Sequence, residues 1–201
     1  MNTHTFSKIT ALALLLMASA GHADGIGYVT VSVVDGEVAS HTRGRIAVNQ
    51  AAGDANQQVN AAAIAISAQA ASAAVDVGQK IHGFSGNVPD VAVARIGQNA
   101  FAGASGLIAV NQTSGVANAQ SNSVAVAMGI NGEVGDKALS ATLPDAAGLV
   151  RAGASSGLRI VGVEDTAFRN ARGVVQLNQT AGAGNSSSNN FALRVTVQPD
   201  L

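Results

Sequence analysis

Side-chain amides are the functional groups that recur at fixed places in this chain. Asn49, Asn111 and Asn178 occupy one position in three similar segments, and each is followed by a glutamine: Gln50, Gln112 and Gln179. Gly53, Gly115 and Gly182 come next, then Asn56, Asn118 and Asn185, then Asn60, Asn122 and Asn189. A carboxamide donates through its NH2 and accepts through its carbonyl oxygen. One such group buried alone is costly. A column of them, each bonded to the copies above and below, satisfies both functions along the axis of the backbone hydrogen bonds, as in cross-β assemblies. The chemistry these residues point to is noncovalent stacking.

Covalent chemistry has little support. There is no Cys, so no thiol nucleophile and no disulfide. His41 and His82 are isolated, with no second His at metal-ligand spacing. No phosphate-binding glycine loop and no glycine-aspartate calcium repeat is present. Asp35, Glu37, Asp90, Glu133, Asp136 and Asp145 sit in or near turn signals and read as solvent-facing gatekeepers. The expected site therefore has no catalytic residue, no metal ligand and no cofactor.

The elements that must position the amides are legible as three copies, Gly44–Ile66, Gly106–Met128 and Gly173–Val195, which align without a gap. Each reads as strand, tight turn, strand. Ile46 and Val48 alternate with Ala47 and Asn49, the period of a half-buried strand. Gly53, Gly115 and Gly182 mark the turns. Beyond them Asn56, Gln58 and Asn60 share one face, followed by Ile64 and Ile66, with Val124, Val126 and Met128, then Phe191, Leu193 and Val195, as their counterparts.

Between the copies, Ala61–Val77 is compatible with strand or helix, Ala being the best helix former. Gly83–Pro89 and Gly129–Pro144 read as loops; Tyr28–Val34, Val91–Ile96 and Leu158–Val163 read as short strands. Phe101 and Phe168, matched before copies two and three, read as core. The expected fold is all-β, a stacked β-arch or β-solenoid array able to extend into a cross-β fibril.

Composition agrees. Only 11% of residues are charged and 3% aromatic, with a net charge of −1. That excludes a highly charged disordered tail, gives no basic face for nucleic acid, and leaves a core built mostly of Ala and Val. Lys8, the short apolar run Ile9–Met17 and the small residues to Ala23 form a signal-peptide pattern over residues 1–23. The run is too short to span a bilayer. Residues 24–201 are then one exported β-repeat domain.

The motif Val48-Asn49-Gln50-Ala51-Ala52-Gly53-Asp54-Ala55-Asn56-Gln57-Gln58-Val59-Asn60, degraded at 110–122 and 177–189, resembles the repeats of Fap-type functional amyloid subunits of biofilms. The resemblance implies export through an outer-membrane channel, extracellular fibrils built from this chain and related amyloid subunits, and a role in biofilm matrix and adhesion. Family subunits often carry a Cys-x-x-Cys that this chain lacks, and the third copy has Ser186-Ser187-Ser188 where the first has Gln57-Gln58-Val59. A minor or nucleating subunit fits these departures. The alternative is a monomeric β-solenoid adhesin that binds a surface or a carbohydrate. If the amides form a ladder, Asn111→Leu strands amide groups on both neighbours, at about 1–3 kcal/mol per unpaired group. Its fibrils should dissolve at lower denaturant than those of an Asp145→Asn control, and equal midpoints would remove Asn111 from any ladder.

Overall fold

The computed structural model describes residues 27–81, 86–142 and 157–197. They contain eleven strands and no helix: β1 Val29–Val34, β2 Arg43–Ala52, β3 Gln57–Ile66, β4 Ala70–Lys80, β5 Val91–Ile96, β6 Ser105–Val116, β7 Ala119–Gly129, β8 Asn131–Thr142, β9 Leu158–Val163, β10 Arg172–Ala183 and β11 Ser186–Thr196. They form four sheets, β1-β5-β9, β10-β6-β2, β11-β7-β3 and β4-β8, called here sheets I to IV. Every pairing is parallel. Consecutive strands leave one sheet for the next, so the chain lays down rungs: β1 to β4, then β5 to β8, then β9 to β11. The second repeat lies between the first and third.

The stacking register is that of the sequence repeat. Asn49 pairs with Asn111 and Asn178 with Asn111 in sheet II. Asn60 pairs with Asn122 and Asn189 with Asn122 in sheet III. Parallel sheets are ordinarily covered on both faces, and sheets II and III are inner layers here.

Ala61–Val77, compatible with strand or helix in the sequence, belongs to β3 and β4, separated by Ser67–Gln69. Propensity yields because Ala71, Ala73, Val75 and Val77 are buried against Ala125 and Ala127. This alternating apolar face fits a pleated surface, and Ala lets the two sheets approach closely. The expectation of a loop over Gly129–Pro144 is corrected: Asn131–Thr142 is β8, paired with β4. Its many Gly and polar residues hide a strand whose pairing is set by its partner. The short strands expected at 28–34, 91–96 and 158–163 are β1, β5 and β9. The signal segment 1–23, His82, residues 83–85 of the loop expected at Gly83–Pro89, and Pro144 and Asp145 lie outside the described residues.

A second apolar cluster fills the corner where each rung passes from sheet I to sheet II. Val34, Ile46, Ile96, Ile108 and Val110 are buried there together with Phe101, which is fully enclosed. Phe101 stacks on Phe168 of the next rung, ring centroids 4.9 Å apart and planes within 7°. The two rings hold the corners of rungs two and three in line. Phe101→Ala should destabilise the folded chain by about 3–5 kcal/mol, the usual cost of emptying an aromatic site, and Phe168→Ala by less, because Phe168 is only partly buried. Chemical denaturation of both variants checks the order.

Candidate functional site

The site is the dry interior of the arch between sheets II and III. Alternation along β2 sends Asn49 toward β3, and alternation along β3 sends Asn60 back toward β2. Asn60 Nδ2 donates to Asn49 Oδ1 at 2.8 Å and to the Val48 carbonyl at 2.9 Å. Asn122 does the same to Asn111 and Val110, and Asn189 to Asn178 and Leu177. Between rungs, Asn111 donates to Asn49 Oδ1 and Asn178 to Asn111 Oδ1, both at 3.0 Å. In the facing column Asn122 donates to Asn60 Oδ1 at 2.9 Å and Asn189 to Asn122 Oδ1 at 3.0 Å. Asn111 and Asn122 are fully buried. Each amide bonds within its rung and to an adjacent rung, which lowers the cost of burying it.

The glutamines face the other way, into the seam between sheets I and II. Gln112 donates to Gln50 Oε1 at 3.0 Å, and Gln179 to Gln112 Oε1 at 2.7 Å. The same NH2 groups reach backbone carbonyls of sheet I: Gln50 to Val33, Gln112 to Ser32 and Arg95, Gln179 to Ala94 and Gly162. They tie the short outer strands to the repeat core.

A third column stands at the bend. Asn118 Nδ2 donates to Asn56 Oδ1 at 2.9 Å, and Asn185 Nδ2 to Asn118 Oδ1 at 2.8 Å. The backbone N–H groups of Asn118 and Asn185 use the same two oxygens. The glycines just before the bend have φ of +96°, +126° and +128° at Gly53, Gly115 and Gly182. A Cβ on Gly53 would fall on the Gly115 carbonyl oxygen, and one on Gly115 on that of Gly182. Gly115 and Gly182 are the penultimate residues of β6 and β10, so the chain turns just after them, at Ala117-Asn118 and Gly184-Asn185.

Several stacking residues escaped the sequence-derived set. Gln58 donates to Gln120 Oε1 at 2.8 Å, and Gln120, fully buried, donates to Thr180 Oγ1. The repeated glutamine at 58 and 120 was a usable signal, broken in copy three by Ser187. Gln176 stands where the other copies have Ala47 and Ala109. It is buried and donates to the Ser123 and Asn189 carbonyls; nothing in the repeat pattern marks it. Gln57 both donates to and accepts from the Lys80 backbone, joining the arch to sheet IV.

Charge stays at the periphery. Arg95 and Glu164 pair on the surface, a geometry worth little in water. Burial first, and then the neighbouring Asp54 carboxylate, raise the Tyr28 pKa and keep its hydroxyl protonated. Among the described residues no three His, Asp or Glu side chains gather as metal ligands. One segment, Gly153-Ala154-Ser155-Ser156-Gly157, does have the spacing of a nucleophile elbow. Such an elbow needs a helix after the serine, whereas Gly157 leads directly into strand β9.

Parallel rungs in the register of the repeat, with like amides bonded through the stack, define a β-solenoid-like structural protein. The chain belongs to the functional amyloid protein FapB/FapC family, whose model matches residues 17–196. That is a family of structural amyloid proteins and not of enzymes. No solved structure matches this chain. Gly115→Ala should lower stability by at least about 1–2 kcal/mol from the left-handed backbone alone, and more from the Gly182 carbonyl. Gly78→Ala, in open space on β4, should be nearly neutral. Denaturant midpoints of the two variants test the assignment.

Proposed function

We propose that residues 24–201 are a single exported β-repeat domain that polymerises into extracellular amyloid fibrils of a biofilm matrix, where the fibrils support surface adhesion. The signal pattern at 1–23 directs export to the periplasm, and passage to the cell surface uses an outer-membrane channel. Partners are further copies of this chain and related amyloid subunits, and the absence of Cys together with the altered third copy favours a minor or nucleating subunit. The amides at 49, 50, 56 and 60 and their counterparts in the other two copies, with Gly53, Gly115 and Gly182, are the working residues.

The observation that carries this reading is the state of the two ends. Among the described residues, sheets I, II and III each present an unpaired parallel edge at β1, β2 and β3 and another at β9, β10 and β11. Among the described residues no helix covers either edge. Natural soluble proteins blunt or cover such edges; a repeat array that stays monomeric needs capping repeats. The purified mature protein should assemble at micromolar concentration into fibrils with a meridional repeat of about 4.7–4.8 Å. A monomer that stays soluble through seeding overturns polymerisation and leaves the monomeric adhesin.

A further inference from the structure

We infer that two stacks of this chain pair side by side through the outer face of sheet I, related by a twofold axis parallel to the stacking direction, so that a fibril is two filaments joined along a dry aliphatic seam. This rests on the polymerising function proposed above and adds a lateral interface to it.

The inner face of sheet I packs on sheet II, and its outer face is aliphatic and open. Val31, Val93 and Ile160 form the central column of that face, with Val31 and Ile160 each 43% exposed. Val29, Val91 and Leu158 flank it on one side, and Val33, Arg95 and Gly162 on the other. Leu158 is 55% exposed and Val33 40%. Parallel sheets are ordinarily covered on both faces. In a polymer this patch recurs with every copy and becomes a stripe along the whole fibril, more apolar surface than soluble proteins leave bare.

Shape and charge commit the face to a second copy of itself. Under the twofold the two central columns meet, and the flanking columns exchange: Val29 meets Val33, Val91 meets Arg95, and Leu158 meets Gly162 of the other stack. A side chain at Gly162 would find open space, so the face has a hollow there, and Leu158 is its most exposed side chain. The largest projection enters the hollow on both sides at once, the self-complementarity that a twofold interface requires. Branched aliphatic side chains between them interdigitate as in a steric zipper. Arg95 lies in a flanking column, at the rim of the seam, and is paired with Glu164 of its own chain, so like faces meet without net repulsion.

Area sets the order of events. A few side chains exposed to this extent give one copy far less than the ~800 Å² per partner of a stable interface, so two monomers do not pair. Copies in a stack add their patches along one line. A second stack has the same axial repeat and meets every patch in the same way, whereas a partner of different period meets only some of them. The other exposed aliphatic patch, Ile64, Ile66, Met128 and Leu193 on sheet III, shares the arch with Arg45, which reaches across to the Asn60 carbonyl. Two such faces would bring like charges together, which disfavours pairing there.

Mass per unit length, measured on fibrils by dark-field scanning transmission electron microscopy, tests the seam. One copy contributes three rungs to sheet I, about 14 Å of axis. Paired wild-type fibrils should therefore carry two copies per ~14 Å, and a single stack one. Ile160→Lys sets like charges against each other along the seam. Gly162→Val fills the hollow that Leu158 enters, while its own chain has room for the added side chain. Fibrils of each variant should keep the strand repeat of about 4.8 Å and lose half their mass per length, and adding Leu158→Ala to Gly162→Val should restore the pair. Wild-type fibrils that are single stacks, or variant fibrils as heavy as the wild type, overturn the pairing while leaving polymerisation standing. Single wild-type stacks that adsorb to alkylated beads more than Ile160→Lys stacks do also overturn it, and reassign the face to an apolar surface. Loss of fibrils in both variants places the face within the stack itself and overturns the seam. A wild type that forms no fibrils removes the proposed function and the pairing together.

Discussion

A buried carboxamide has to bond at both ends, and that constraint organises the molecule. Asn111 fills its requirements only because Asn49 lies one rung before it, Asn178 one rung after, and Asn60 and Asn122 across the arch. A shift of one residue between rungs would turn every such group to the other face of its strand. The parallel pairing, the unbroken register and the close approach of the backbones at Gly53, Gly115 and Gly182 are all consequences. Hydrophobic burial is secondary in the arch, where amides and hydroxyls replace the aliphatic core of an ordinary sandwich.

Apolar packing acts instead at the flanks. The corner cluster around Phe101 holds sheet I on sheet II, and the Ala and Val face of β4 holds sheet IV on sheet III. Few large side chains are needed because the sheets are thin and the rungs repeat. A polar core also resists slippage better than an aliphatic one. Apolar side chains accept many neighbours, whereas an amide out of register leaves a donor and an acceptor unpaired, at a cost of about 1–3 kcal/mol each.

The third copy differs from the others for a structural reason. Among the described residues sheet IV has two strands, β4 and β8, where the other sheets have three. The face of β11 that would meet a third strand carries Ser188, Asn190 and Arg194, all exposed, where β3 has Val59, Ala61 and Ala65. Gln57 in copy one bonds the β4 backbone at Lys80; among the described residues no such strand lies opposite Ser186. The substitutions that make this copy look degraded in the sequence are the ones that fit a face open to water.

The sequence by itself determined the repeat, its register and the identity of most stacking residues, because an amide ladder needs the same residue at the same place in every rung and so leaves a periodic signature. The positive-φ glycines were legible for the same reason. Tertiary structure decided what has no periodic signature. It placed Ala61–Val77 in strands, since burial against Ala125 and Ala127 overrides helix propensity. It made a strand of Asn131–Thr142, whose own composition reads as loop, because β4 offers it an edge. It turned Asn49 and Gln50 to opposite faces, one toward the arch and one toward sheet I, and recruited Gln176 from a position where the other copies have alanine. These depend on which surfaces meet, and that is fixed only when the layers pack.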